Sequence, residues 1–270
     1  MPTLEIHPIH VGTLRDYPTA GIMFQRGFNE THDVAMIMFV ILGGEHPIVV
    51  DSGTGSEEFT RRYHGFNLRR PPEQEPERAL RNLGVDPADV QILINTHLHW
   101  DHCSNNGLFP NAKVYVQREE LAYAIAPLES NRVAFDNTAE LTPPWLSSLG
   151  RVVPIDGDRC VAPGVRLLHL PGHTPGSQGV LVSSGNSRFL LCGDFIDSYA
   201  NWAGDHAVSH IPSGSFTDLK AYWSSFRRVE ELGCEVIPSH DLAVLAHGVY
   251  RDEPDRSPAS QLADNQPRPH

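Results

Sequence analysis

The feature that most constrains this chain is a run of three histidines and one aspartate within six residues, His97-x-His99-x-Asp101-His102. The run directly follows a short apolar segment, 90–95, whose pattern predicts a buried strand. In an extended segment every second side chain points the same way, so His97 and His99 share a face. The chain must then turn so that Asp101 and His102 face a second position next to the first. Clustered imidazoles repel one another when protonated, so the run indicates a bound metal rather than a solvated, histidine-rich loop.

Two ligand sets from one loop fit two metal ions a few ångströms apart, as in two-metal hydrolases. Neutral imidazole and carboxylate suit Zn²⁺, Fe or Mn²⁺, and no thiolate is needed. Two such ions lower the pKa of a shared water from about 15.7 toward 7 and polarise a carbonyl. The run therefore predicts hydrolysis of an ester-like bond, without a Ser-His-Asp triad.

Composition argues against several other classes of protein. The 270 residues carry a formal net charge of −12, which disfavours polyanion partners because phosphates are bound by clustered Lys and Arg. No apolar run approaches the roughly 20 residues that span a bilayer, and residues 1–5 lack the basic and apolar pattern of a signal peptide. The 4 cysteines are widely separated, which is typical of reduced thiols. We therefore expect a cytoplasmic protein that binds neither nucleic acid nor membrane.

Blocks of predicted strands come first and are followed by predicted helices, and this order recurs after about residue 150. The order predicts a sheet-rich core with helices on its outer faces. The predicted strands are 3–11, 33–42, 47–50, 90–95, 113–117, 152–155, 165–170, 179–183, 188–192 and 235–238. The predicted helices are 57–63, 75–83, 118–126 and 216–232. We expect a single domain over 1–250, a pocket-lining insertion at 127–150 and a flexible C-terminal tail at 251–270.

The histidine run resembles the signature of the metallo-β-lactamase superfamily, and further motifs stand in that family's order over residues 30–245. His173 lies in the segment LPGHTPG, Asp194 in CGD and His240 in PSHD, each near a predicted strand end. Asp51, at the end of the strand 47–50, matches an early aspartate of the family. The resemblance implies an α+β fold, an αββα sandwich of two mixed sheets with helices on the outer faces.

The same resemblance implies two divalent metal ions as cofactors, Zn first, with Fe, Mn or Co as alternatives. One ion would be held by His97, His99 and His173, the other by Asp101, His102 and His240, with Asp194 bridging them. Asp51 would accept hydrogen bonds behind the ligands, and Asp101 would also move a proton to the leaving group. Each assignment has an alternative. His173 and Asp51 could be turn residues, Asp194 a helix cap, and His240 an ordinary histidine at a strand end.

The surroundings of the run resemble the N-acyl-homoserine lactonase branch, through HLHWDH at 97–102, NNG at 105–107 and VQREEL at 116–121. Those enzymes open a lactone ring by attack of a bridging hydroxide. The branch usually has a tyrosine three residues after the bridging aspartate, where this chain has Asp197. We predict that Tyr199, two residues further on, takes over this catalytic role. The alternatives are that Asp197 replaces the tyrosine, that the substrate differs, or that Tyr199 only packs in the pocket.

The expected substrate is therefore a small lactone or related ester, and a homodimer stays open. A glyoxalase II-like thioesterase is the main alternative, because it shares all seven ligands. A mononuclear-iron dioxygenase and a non-catalytic scaffold are less favoured, because the second ligand set is complete. Apolar candidates for the pocket wall are Met23, Phe24, Phe28, Trp145, Trp202 and Phe216.

Overall fold

Two β-sheets pack face to face in the computed structural model, which describes residues 3–252. The first sheet contains β1 (Glu5–Pro18), β2 (Thr31–Leu42), β3 (Ile48–Val50), β4 (Asn67–Arg69), β5 (Ile92–Ile94), β6 (Lys113–Gln117), β7 (Val152–Ile155) and β13 (Tyr250–Arg251). The second contains β8 (Arg159–Ala162), β9 (Val165–His169), β10 (Gln178–Ser184), β11 (Ser187–Leu191) and β12 (Glu235–Ile237).

Both sheets are mixed. The first runs β13-β1-β2-β3-β5-β6-β7 with β4 beside β1, and its four strands from β3 to β7 are mutually parallel. The second runs β12-β11-β10-β9-β8, with β11 and β12 parallel and the rest antiparallel. Strands β9, β11 and β12 therefore point the same way, and their carboxyl ends lie at the same end of that sheet. The site described below lies at this end.

The helices are short except for one. They are α1 (Thr19–Ile22), α2 (Glu57–Phe59), α3 (Pro76–Asn82), α4 (Trp100–Cys103), α5 (Arg118–Ile125), α6 (Tyr199–Ala203), α7 (Leu219–Leu232) and α8 (Leu242–His247). A π-helical turn, Thr60–His64, continues α2. Within residues 3–252, none of these helices is long and apolar enough to cross a membrane.

The apolar pattern of each element explains its place. Strand β2 is buried on both faces, because alternate residues such as Ile37 and Phe39 enter the core between the sheets. The residues between them, Met36 and Met38, pack on the other side with Leu80 of α3. Helix α7 covers the second sheet with Tyr222, Phe226 and Val229, which recur on one face of the helix.

Every predicted strand and helix is present, most with shifted ends, and the predicted α+β class with two mixed sheets is confirmed. The first strand continues to Pro18, well past residue 11. Strands β4, β8 and β13 escaped prediction because they have only 2–4 residues and lack an apolar run. Arg251 pairs with Glu5, while most of the predicted tail, 253–270, lies outside the described residues. The single domain over 1–250 stays a prediction.

Replacement of a core leucine tests the packing between the sheets. Leu167 in β9 is completely buried, so Leu167→Ala should lower the free energy of unfolding by about 2–5 kcal/mol in urea denaturation. The control Leu128→Ala, at a side chain 62% exposed, should change it by less than about 0.5 kcal/mol. Equal effects of the two replacements would contradict this description of the core.

Candidate metal centre

The histidine run lies in the loop after β5 and in the first turn of α4. His97 and His99 precede the helix, whereas Asp101 and His102 lie within it, so α4 supplies the turn that the sequence requires. The side chain of Asn95 donates a hydrogen bond to the carbonyl oxygen of His102 at 3.2 Å and holds the two ends of the loop together. All three imidazoles of the loop are buried.

The seven predicted ligands come together in two groups that share one carboxylate. The first group is His97, His99, His173 and Asp194, and the second is Asp101, His102, Asp194 and His240. Within each group the candidate ligand atoms all lie within 4.8 Å of one another. The structure thus brings together side chains from four separate stretches of chain.

The two oxygens of Asp194 face different groups. Its Oδ2 lies 3.7 Å from His97 Nε2 and 3.6 Å from His173 Nε2. Its Oδ1 lies 2.9 Å from both His102 Nε2 and His240 Nε2. A single carboxylate in this position can contact a cation in each group, which is the geometry expected of a bridging ligand.

Glycines allow the later loops to approach this centre. Gly172 and Gly193 each precede a predicted ligand and have φ angles of +146° and +56°, which side chains rarely adopt. A Cβ atom would lie 2.6 Å from Tyr222 Cα at Gly172, and 2.7 Å from Thr96 Cβ at Gly193. Another side chain at either position would push its ligand loop away from the centre.

Hydrogen bonds on the outer sides of the imidazoles orient their inner nitrogens. The Nδ1 atoms of His173 and His240 lie 2.7 Å and 2.9 Å from the carbonyl oxygens of Ser215 and Ala35. Since a carbonyl oxygen only accepts, each Nδ1 carries a proton, and the neutral ring would then present the lone pair of Nε2 to the centre.

The donor set fits metal ions. Burial lowers the pKa of His97, His99 and His173, which favours the neutral imidazoles that bind metals. Within residues 3–252, the buried Nε2 atom of His97 has no hydrogen-bond partner, although buried polar atoms nearly always have one. A cation between these nitrogens and the Asp194 carboxylate would satisfy both.

Asp51 lies behind this loop, where the resemblance places it. Its Oδ1 accepts a hydrogen bond from Thr96 N, and its Oδ2 accepts one from Thr96 Oγ1, both at 2.8 Å. The same Oδ2 lies 2.8 Å from His102 Nδ1. The carboxylate thereby fixes both the start of the ligand loop and the ring of His102.

A cavity of about 280 Å³ opens over the two groups. Its polar side includes His99, Asp101, His173, Asp194, Asp197 and His240, and its apolar side includes Leu14, Ile22, Val34, Met36, Phe66, Trp100 and Val133. The segment 127–150 contributes Ser130, Val133 and Ala134 to this wall. Among the described residues, none of the six apolar residues suggested from sequence lines this cavity. Residues of the extended β1 and of the loop after Thr60–His64 form part of the apolar wall instead.

The placement of Tyr199 argues against its predicted catalytic role. Its hydroxyl lies 3.0 Å from the hydroxyl of Tyr250, and its ring packs against the core between the sheets. Asp197 lines the cavity instead, buried, with its Oδ2 lacking a hydrogen-bond partner among the described residues. Tyr199 turns inward at the first position of α6, where its ring contacts the core.

His64 is a wall residue that the sequence did not reveal. Its ring stacks on Trp100 with 4.0 Å between ring centroids, and its Nε2 lies 3.1 Å from Asp136 Oδ1. Both side chains of this pair are buried and join the turn Thr60–His64 to the segment 127–150. No local pattern relates positions 64, 100 and 136, so only the folded chain shows this contact.

A sequence model described as the metallo-beta-lactamase superfamily matches residues 34–240 of this chain. The chain belongs to the metallo-beta-lactamase superfamily. The family resemblance noted in the sequence is therefore confirmed, and with it the αββα arrangement of two sheets between outer helices.

Among members of the superfamily, this chain is similar to an N-acyl homoserine lactonase from a Bacillus species, with 30% identity over 231 residues, 83% of this chain and 85% of that protein. A solved N-acyl homoserine lactone hydrolase, with the product N-hexanoyl-L-homoserine at its catalytic metal centre, aligns with a TM-score of 0.72 and 24% identity over 90% of this chain and 95% of that one. AidC, described as a dizinc quorum-quenching lactonase, aligns with a TM-score of 0.65 and 18% identity over 94% and 95% of the two chains. The resemblance to the lactonase branch is thus confirmed.

Replacement of Asp51 tests the support behind the ligand loop. Asp51→Asn puts an amide nitrogen opposite hydrogen-bond donors, so the affinity of the protein for zinc should fall about 10–100-fold in competition with a chromophoric chelator. The control Asp156→Asn alters a carboxylate that is 72% exposed and paired with Arg118, and should leave the affinity unchanged. Wild-type affinity in Asp51→Asn would contradict this role.

Proposed function

We propose that this protein is a dinuclear metal-dependent hydrolase that opens the ring of a lactone, either an acyl-homoserine lactone or a related cyclic ester. The observation that carries the proposal is the Asp194 carboxylate, with one oxygen toward each of two complete ligand groups at the floor of a partly apolar cavity. The relatives named as lactonases support the substrate class.

In this proposal the first group would hold one divalent ion and the second group the other, and Asp194 would be a ligand shared by both groups. Zinc is the ion we propose first, because all donors are imidazole nitrogens or carboxylate oxygens and AidC is described as dizinc. Iron, manganese and cobalt are the alternatives. When bound, such ions lower the pKa of water and polarise an ester carbonyl.

The side chains around the ions have separate tasks. The Asp101 carboxylate, 14% exposed at the cavity, takes up a proton and delivers it to the alkoxide that leaves when the ring opens. Apolar residues such as Phe66 and Met36 bind the acyl chain and exclude water from it. Asp197 replaces the tyrosine of the lactonase branch and contacts a polar group of the substrate.

The thioesterase and dioxygenase alternatives are not favoured, because the curated relatives are named as lactonases and both ligand groups are complete. The cytoplasmic location and the homodimer stay predictions, since the structure describes one chain.

Ligand replacement tests the proposed chemistry. His102→Ala and Asp194→Ala each remove a ligand of the second group, so hydrolysis of N-hexanoyl homoserine lactone should fall at least about 100-fold. The control His206→Ala, at an exposed histidine, should keep wild-type rates. Acid release and metal content per chain are the measurements, with circular dichroism to confirm folding. A metal-loaded wild type that hydrolyses glutathione thioesters but no lactone would contradict the proposal.

A second pair of variants distinguishes the proposed role of Asp197 from the role predicted for Tyr199. Asp197→Ala should lower kcat/KM about 10–100-fold, because a buried group facing the substrate loses its hydrogen bond. Tyr199→Phe removes only the hydroxyl that faces Tyr250, and should leave kcat/KM within about twofold of wild type. The reverse order of the two effects would restore the catalytic role predicted for Tyr199.

A further inference from the structure

Glu120, in helix α5, is a completely buried carboxyl group that belongs to neither ligand group and does not line the cavity. It lies in the VQREEL segment that contributes to the lactonase resemblance, and nothing in the proposed chemistry uses it. Burial of a carboxylate is costly unless hydrogen bonds compensate it, so its partners show what it supports.

The carboxylate of Glu120 joins the two stretches that provide the histidines of the first group. Its Oε1 accepts a hydrogen bond at 2.9 Å from the backbone N of Leu98, the residue between His97 and His99. Its Oε2 accepts hydrogen bonds from Thr174 Oγ1 at 2.5 Å and from Gly176 N at 3.2 Å. Since Thr174 directly follows His173, one side chain reaches both ligand stretches.

The packing around this carboxylate leaves little room for the loops to move. A Cβ atom at Gly176 would lie 2.1 Å from the backbone N of Glu120, so the loop directly contacts the start of α5. The hydroxyl of Thr174 also lies 2.6 Å from Ser177 Oγ, which fixes its rotamer. The distance between the two ligand stretches is thus set through Glu120.

The second group depends on a different carboxylate. The ring of His102 is held by Asp51, at 2.8 Å from its Nδ1 atom, and His240 by the carbonyl of Ala35. Glu120 makes neither of these hydrogen bonds, so we expect a change at Glu120 to act more on the first group than on the second.

We propose that Glu120 is a positioning residue for the first ligand group, and that its removal selectively weakens the binding of one of two metal ions. The inference rests on the proposed function, in which these groups hold metals. Asp51 continues to support the second group, so one ion stays tightly bound.

The test is titration of metal-free protein with Co²⁺ and Zn²⁺, followed by visible absorption of Co²⁺ and by chelator competition. The wild type should bind two equivalents. Glu120→Ala should bind one equivalent as tightly as wild type and the other about 10–100-fold more weakly, with a changed Co²⁺ spectrum. Glu120→Gln should be intermediate, because its amide can still pair with Leu98 N and Thr174 Oγ1 while Gly176 N loses its acceptor. The neighbouring Glu119→Gln, at a side chain 62% exposed, is the matched control and should equal wild type.

Thr174→Val leaves the carboxylate in place and removes only one hydrogen bond. This replacement should lower the affinity for the same ion by a smaller factor than Glu120→Ala does. It also tests the inference if Glu120→Ala fails to fold. Two ions bound with wild-type affinity in the Glu120 variants, with only a lower free energy of unfolding, would overturn the positioning role. An equal loss of affinity for both ions would overturn the claim that Glu120 acts on one ligand group. Absence of metal binding in the wild type would overturn the proposed function and this inference with it.

Discussion

The contact of one buried carboxylate, Asp194, with imidazoles on both of its sides is the interaction around which this structure is organised. A carboxylate removed from water needs charge and hydrogen-bond compensation, which cations in the two ligand groups would supply. Ser239 Oγ donates a further hydrogen bond to Asp194 Oδ1 at 2.9 Å, so the carboxylate has little freedom to rotate. In this orientation of the Asp194 carboxylate, each oxygen faces a different ligand group.

The topology of the sheets explains how distant residues reach this point. Parallel β3 and β5 end side by side, which puts Asp51 next to the start of the histidine run. In the second sheet β9, β11 and β12 share a direction, so His173, Asp194 and His240 leave from the same edge. Because loops at strand ends carry the predicted ligands, the sandwich can keep its core while the cavity wall varies, as members of one superfamily require.

Much of the centre was predictable from the sequence because its signals are local. The histidine run follows an apolar strand, and each later ligand lies in a short motif near a strand end. The predicted ends agreed closely in β2, which has a long apolar run, and in the short strand β6. The cavity wall was less predictable, because it depends on contacts between distant segments. His64 meets Trp100 and Asp136 only in the folded chain, and Tyr199 faces the core because α6 starts there.

The most direct test of this account is a crystal structure of the zinc-loaded protein, with anomalous scattering used to locate the metal. The account predicts two peaks per chain, one beside each oxygen of Asp194, with His97, His99 and His173 around the first and Asp101, His102 and His240 around the second. A single peak, or metal bound away from Asp194, would contradict it.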